Sequence, residues 1–484
     1  MNNNTVSVKK NYIYNLIYQL FAFIVPVITT PYISRVLSAD GVGAVSYTTS
    51  VVTYFVLFGN LGIATYGQLQ IAKRRDDKYK VSQLFWGIFI ARFITMSLSS
   101  IVYVIYIMQS NEYKYLYIVL LSQIVAAAID ISWFLQGLEQ FKKIVIRNSF
   151  IKIISVFLIF TLVKKESDIY LYALIINIST LIGNLSIWVF LKKYIQLIKL
   201  RDIEIIKHLK LSLVYFIPAI ATSIYTVLDK SMIGVITHST YENGCYEQAH
   251  KIEQMAVTVV TSLSIVTLPR MTYLFKYNKL DEMKKQLIKS LRFILFISVP
   301  MALGLISISS NFIPWFLGNG YEKGTILIRI FSFLIIIVGL NNAIGKQVLM
   351  AIGRQKEYNV SVIIGAIANI LINLILIPLF DSVGAAIASV SAELIILLIF
   401  IYYSRDFIRI RDIILMSTNY VMSALVMMLL IYLSCNYISA NFMSLSLQVG
   451  CGFLIYIGVL FILKDEFIKE ALYVLKNKVK KNWL

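Results

Sequence analysis

Apolar residues in this chain gather in blocks of about twenty, separated by short polar stretches. They show neither the two-residue alternation of strands nor the one-sided stripe of soluble helices. A helix needs about 20 apolar residues to cross a bilayer. Fourteen blocks meet that length, at roughly 12–34, 41–64, 83–107, 115–136, 149–163, 169–191, 211–236, 249–272, 291–317, 325–350, 360–379, 384–404, 414–434 and 444–463. The fifth is short and the eighth opens with charged residues. The pattern predicts an all-α polytopic membrane protein of about 14 transmembrane helices. Lys9 and Lys10 precede the first block, which lacks a small-residue cleavage site and is expected to stay as an anchor.

Composition agrees. Of 484 residues, 58% are hydrophobic and 14% charged, against roughly 25% charged in soluble domains. An ordinary soluble enzyme and a disordered chain are excluded. Three scattered cysteines, Cys245, Cys435 and Cys451, make neither a disulfide framework nor a zinc site. The net charge of +20 would suit nucleic acid, but its distribution argues for topology instead. With the N-terminus inside, 36 of the 45 Lys and Arg fall in or beside cytoplasmic segments and 7 on the outer side. That is the asymmetry of an inner membrane protein with both termini cytoplasmic, and no nucleic-acid partner is expected. Segments 192–210 and 275–290, and the tail with Ile468, Leu472, Leu475, Val479 and Trp483 on one face, read as amphipathic helices lying on the membrane surface. The outer loops are a dozen residues at most. His208, His238 and His250 have no partner at metal-ligand spacing, and there is no phosphate loop or nucleophile elbow. No enzyme activity, cofactor or metal is expected.

A charge at the bilayer centre costs about 2.5–3.5 kcal/mol, yet the blocks contain Arg92, Asp130, Asp229, Lys230, Arg329 and Glu393. These must pair across helices, snorkel, or face a wet interior. Asp229 and Lys230 are adjacent, about 100° apart on a helix, and so look toward different neighbours. Uncharged polar residues repeat at helical spacing as well: Asn11, Asn15 and Gln19 in the first block, and Ser361, Gly365, Asn369 and Asn373 in the eleventh. The eighth opens with Glu247, Gln248, His250, Lys251, Glu253 and Gln254, polar on nearly every face. Helix-to-helix packing and a water-filled cavity both account for such stripes.

The first and seventh blocks share a polar start, an internal proline (Pro26, Pro218) and downstream threonines. Asp40-Gly41-Val42-Gly43 opens the second block much as Glu242-Asn243-Gly244 precedes the eighth. Two comparable six-helix halves follow, an N-terminal lobe at 1–208 and a C-terminal lobe at 209–405. Two further helices and the tail occupy 406–484. Duplicated halves with a site between them recur among transporters.

Four patches carry a more specific likeness: Pro31-Tyr32-Ile33-Ser34-Arg35 with Gly41-Val42-Gly43; Gly62 to Gly67 leading into Ile71-Ala72-Lys73-Arg74; Asp130-Ile131-Ser132-Trp133-Phe134 with Gln136-Gly137; and Leu228-Asp229-Lys230 with Gly244-Cys245-Tyr246-Glu247. In this order the chain resembles the polysaccharide (O-antigen or capsule) repeat-unit flippases of the multidrug/oligosaccharidyl-lipid/polysaccharide exporter superfamily. The resemblance implies two MATE-like six-helix bundles around a cavity open alternately to each side. It implies as cargo an oligosaccharide on undecaprenyl pyrophosphate, moved to the outer leaflet of a bacterial plasma membrane. A polysaccharide polymerase and chain-length machinery are implied as partners. On that reading Arg35, Arg92 and Lys230 are the candidate cations for pyrophosphate or acidic sugars. Asn15, Gln19, Glu247, His250, Lys251, Gln254, Asn369 and Asn373 are candidate cavity groups. Asp229, Asp130 and Glu393 are candidates to bind a coupling proton or sodium ion. The alternatives are a peptidoglycan-type precursor flippase, a MATE-like drug exporter and, from another class, a membrane polysaccharide polymerase. The large external loop expected of the last is absent.

Overall fold

A computed structural model describes residues 8–74, 76–199, 201, 203–435, 440–465 and 467–469; side chains at 8–22, 217–219, 221, 222, 224–226 and 263–266 lie outside the description. The protein is all helical, with no strand among the described residues. Among the described residues, eleven helices are long and apolar enough to cross a membrane, or twelve counting one bent pair. The expected fourteen is not confirmed as a count. The first two blocks lie on two helices that join at a break at Ser38 and are counted as one, and part of the seventh falls outside the described side chains.

The chain divides into two compact units, 1–244 and 245–484. The first opens with α1 (Val8–Asn60), broken at Ser38, whose φ of 59° and ψ of 176° leave the helical region. Leu61 and Gly62 then take φ of 45° and 72° and turn the chain into α2 (Ile63–Arg74). A Cβ on Gly62 would stand 2.6 Å from the backbone nitrogen of Phe216, so only glycine suits both the turn and the packing. Helix α2 falls almost wholly between the second and third apolar blocks. Its Ile63, Tyr66 and Ile71 are buried, and Tyr66 bonds His208 Nδ1 at 2.8 Å.

Next come α3 (Lys78–Gln109), α4 (Lys114–Ile129), the short α5 (Ser132–Gly137), α6 (Phe141–Leu162), α7 (Ile169–Ile187) and α8 (Ile205–Thr237). Asp77 caps α3, accepting from the N–H groups of Tyr79 and Lys80, and these bonds hold its carboxyl below the usual carboxylate range. Segment 192–210 does not form the expected surface helix. A 3-10 stretch ends at Lys193, and the described residues stay irregular until α8 begins at Ile205.

The second unit takes most of α9 (Thr240–Lys276), then α10 (Leu280–Leu317), α11 (Glu322–Asn341) with a π-helical continuation to Met350, α12 (Gln355–Phe380), α13 (Ser382–Tyr403), α14 (Ile410–Cys435) and α15 (Phe442–Ile462). Residues 280–290, expected as a separate surface helix, are the opening turns of α10. Met283, Leu287 and Leu291 are fully buried there. Continuing the helix avoids leaving a set of unbonded backbone groups at the membrane boundary. Helices α14 and α15 share the core of this unit, where the Tyr456 hydroxyl donates to the Phe296 carbonyl at 3.0 Å. The tail, including its expected stripe beyond Ile468, lies outside the described residues apart from Lys469. The division at Gly244 groups α8 with the first unit, whereas the sequence-based lobes part at 208.

Both units leave outer faces apolar and exposed, for instance Leu98, Ile101 and Phe157 in the first and Leu371, Ile375 and Leu454 in the second. A water-facing protein would not leave so much uncovered. Lipid covers such surface, and the chain is a multi-pass membrane protein.

Candidate functional site

In the first unit, intramembrane charge collects where α4 stops and α5 begins. Ending a helix inside a bilayer strands backbone carbonyls that no water reaches. Here each of several has a donor. Arg92 Nη1 donates to the Asp130 carbonyl at 2.7 Å, Trp188 Nε1 to that of Ile129 at 2.9 Å, and Asn184 Nδ2 to that of Ala126 at 2.8 Å. Asp130 Oδ1 accepts from the backbone N–H of Ser132 at 2.9 Å and from its hydroxyl at 2.5 Å, which starts the next helix. Arg147 bonds Asn184 Oδ1 (2.7 Å) and Ser132 Oγ (3.0 Å), joining α6 and α7 to the break. Arg92 is 4% exposed. The structure therefore brings Arg92 and Asp130 together as a fastening of one helix break. In the second unit Arg329 joins two helices instead, donating to the hydroxyls of Ser309 and Ser310 at 2.7 Å each.

The Asp229–Lys230 pair sits on α8, with Asp229 buried and Lys230 half-buried. The Ser231 hydroxyl donates to Tyr54 at 3.1 Å and lies 2.9 Å from Ser50, tying this turn to α1. In the amide orientation that satisfies its neighbours, Asn243 donates to the Lys230 carbonyl (2.9 Å) and accepts from the Gly234 N–H (3.0 Å). Beside it the start of α9 crosses α1 with no room for side chains. A Cβ on Gly43 would stand 1.8 Å from the Thr240 carbonyl oxygen, and one on Gly244 would stand 1.9 Å from that of Ala39. The two glycine patches that looked like repeats meet each other. Arg35 is exposed on α1, three residues before the Ser38 break. The side chains of Asn15 and Gln19 lie outside the described residues.

The second unit gathers a different set. On α9, Lys251 Nζ pairs with Glu247 at 3.1 Å, His250 Nε2 lies 3.9 Å from Glu253 and 3.4 Å from the Gln254 amide, and the His250 ring stacks on Tyr246. The Tyr246 hydroxyl is 3.2 Å from Ser389 on α13. Glu253 is only 3% exposed, and its acidic neighbour is Glu393 of α13. Asn341, the last residue of α11, donates its amide to both the carboxylate and the backbone carbonyl of Glu393, while its own Oδ1 is buried without a partner. Sequence reasoning singled out Glu247, His250, Lys251, Gln254 and Glu393 as candidates, named Glu253 only as one of the polar residues opening the eighth block, and did not name Asn341. The signal for Glu253 was its place three residues after His250. For Asn341 nothing in the sequence separated it from a packing amide. Asn369 and Asn373 are fully buried on α12, where Asn373 Nδ2 donates to Asn369 Oδ1 at 3.1 Å.

Two carboxylates turned to one interior repel unless something positive comes between them. With an amide oxygen beside them, they offer what a proton or a small monovalent cation needs. Gln248, one residue from Glu247, is fully buried with both amide atoms unpartnered, so the polar interior extends beyond the acids.

A family model described as "Polysaccharide biosynthesis protein" matches residues 8–275, more than half the chain. The chain belongs to this family. A second model, for the lipid II flippase MurJ, matches residues 146–453 of the same family member. Relatives include the putative O-antigen transporter of Escherichia coli (strain K12), 23% identical over 411 residues, covering 84% of this chain and 99% of that protein. The putative O-antigen transporter of Shigella dysenteriae is 25% identical over 394 residues, covering 81% and 98%. Among solved structures, the lipid II flippase MurJ in an inward closed conformation superposes with a TM-score of 0.73 at 18% identity, covering 95% of this chain and 99% of that one. An inward-facing MATE transporter of the MOP superfamily gives 0.62 at 12% identity, covering 82% and 95%. At these identities the structural likeness establishes the fold of this family member alone, and that fold is the MATE-like one the sequence implied.

Proposed function

We propose that this protein is a flippase for a lipid-linked oligosaccharide. On this reading it carries an undecaprenyl-pyrophosphate-linked repeat unit from the inner to the outer leaflet of a bacterial plasma membrane by alternating access. The product would serve a surface polysaccharide such as O-antigen or capsule. The reading rests on the match to the polysaccharide biosynthesis model, together with relatives named as O-antigen transporters that align over nearly their whole length. A chain of spans with short connections, in which every polar cluster described above lies among helices, suits movement of a lipid better than bond making, and the protein is no enzyme. The asymmetry of Lys and Arg supports cytoplasmic termini. Lys230 and Arg35 remain the cations offered to pyrophosphate, and a polymerase and chain-length proteins would take the cargo up outside.

Glu253 and Glu393 with Asn341 are the groups offered to a coupling proton or sodium ion. Binding either would relieve the repulsion in one state of the cycle more than in the other, which is what coupling requires. A second reading, transport of a peptidoglycan-type precursor, is favoured by the MurJ model over residues 146–453.

Depleting the protein in its host and extracting the lipids tests both. Complete lipid-linked oligosaccharide should accumulate, shielded from a membrane-impermeant glycan-modifying reagent in intact spheroplasts. Accumulation of a peptidoglycan precursor instead would favour the second reading. Accumulation on the accessible side would point to polymerisation and sink both.

A further inference from the structure

The rim where α13 ends and α14 begins holds a pocket of about 710 Å³, lined by Lys284 from the start of α10 and by Arg405, Asp406, Arg409 and Asp412. That volume is within the roughly 300–1,000 Å³ of small-ligand sites. Its acids and bases are not matched to one another. Asp406 lies 3.8 Å from Arg354, and Asp412 accepts the backbone N–H of Arg409 at 3.0 Å to cap α14. Lys284, Arg405 and Arg409 have no carboxylate at pairing distance among the described residues; the Arg405 guanidinium rests 5.4 Å from the Tyr402 ring. The N-terminus of α14, a helix of 26 residues, opens at the same place and adds its partial positive charge. The lining therefore carries three cations against two acids, a net positive charge around a concave floor that includes the buried Ile408.

What lies beside the pocket narrows the ligand. Tyr402, Ile410, Ile414 and Leu415 are 62%, 48%, 59% and 63% exposed, a strip running from the pocket along α14 toward the hydrocarbon. A soluble anion would use the cations and ignore the strip. A phospholipid uses both, with its phosphate among the bases and an acyl chain along α14. Basic residues at a membrane rim are common, and exposed apolar surface runs along both units; here a concavity with a net positive lining adjoins such a strip. We propose that Lys284, Arg405 and Arg409 bind the phosphate of an anionic phospholipid of the surrounding bilayer, a site separate from the transported cargo.

The full-length protein, purified in mild detergent, is titrated with phosphatidylglycerol or phosphatidylcholine and the retained lipid measured by native mass spectrometry. Wild type should prefer phosphatidylglycerol, and R405A/R409A should lose the preference by about fivefold for each cation removed. R405K/R409K should keep most of it, and K164A/K165A, in the first unit, should match wild type. The same melting temperature in wild type and all three variants separates lost binding from lost folding. Equal retention of the two lipids by wild type, or an unchanged preference in R405A/R409A, would overturn the site. Full displacement of phosphatidylglycerol by millimolar inorganic phosphate would overturn the lipid assignment and give the pocket to a soluble anion.

Discussion

The two units bury charge in opposite ways. At the break between α4 and α5, Arg92, Arg147 and Asp130 are bonded to backbone ends and to one another's neighbours, and cation stands near acid. In the second unit, Glu253 and Glu393 set acid beside acid, with an amide oxygen left open. A membrane tolerates a charge that completes a helix end, because the alternative is an unsatisfied carbonyl in hydrocarbon. Like charges together repel unless a neighbour offsets them, as His250 beside Glu253 and the Asn341 amide on Glu393 do in part. A charge inside a span is thus a poor guide to function until its partners are known, and the sign of the neighbour separates the cases.

The largest effects should come from the fastenings. Gly43→Val must displace the Thr240 backbone at the α1–α9 crossing. Overpacking of this kind costs about 1–3 kcal/mol or more, and here it meets backbone rather than a movable side chain. We expect little monodisperse protein by fluorescence-detected size exclusion. Arg92→Ala should follow closely. It leaves the Asp130 carbonyl without its charged donor, a loss of about 1.5–3 kcal/mol, read as a lowered melting temperature. Asp130→Asn should be mild, since an amide oxygen accepts the same two bonds from Ser132. If Asp130→Asn instead folds normally and stops transport, the first unit also holds an ion-coupling group and the contrast between units fails.

The second unit should respond in the reverse order, with function falling before stability. Glu253→Gln removes the like-charge repulsion, so its melting temperature should equal or exceed that of wild type. Gradient-driven flipping should drop about 5- to 150-fold, the range of a typical coupling energy. Collapse of the ion gradient in wild type should mimic the variant. Asn341→Ala removes the amide that donates to Glu393, a bond to a charged group of about 1.5–3 kcal/mol, and should show a smaller transport defect with a small fall in stability.

How much of this was legible beforehand follows from what sequence encodes. The all-helical, membrane-spanning class came from block lengths, though not a confirmed count of spans, and the missed details have physical reasons. The first two blocks read as separate because Asp40 and the nearby glycines interrupt the apolar run, and the structure breaks the helix beside them, at Ser38. Segment 275–290 looked amphipathic, as it is, but its apolar face was already covered by the core of its own unit. Arg92 and Asp130 were found as charges out of place, while the bonds giving them their task involve backbone carbonyls, which leave no mark in a sequence. Asn341 was invisible for the converse reason: an amide in a span is ordinary until Glu393 is seen against it.

The finest test of the comparison lies in α12. Asn369 and Asn373 are polar, buried and bonded to each other, which is how helix glue looks and also how a dry edge of a cavity looks. Replacing one amide strands the other, so Asn369→Ala should cost about 1–3 kcal/mol whichever role is true, and it decides nothing. Replacing both with leucine is informative, because exchanging a bonded pair for apolar groups of similar shape is close to neutral. If N369L/N373L melts like wild type and flips its cargo at the wild-type rate, the stripe is packing. The same melting temperature with slower transport would put the amides on the cargo's path and extend the functional interior of the second unit from α9 and α13 to α12.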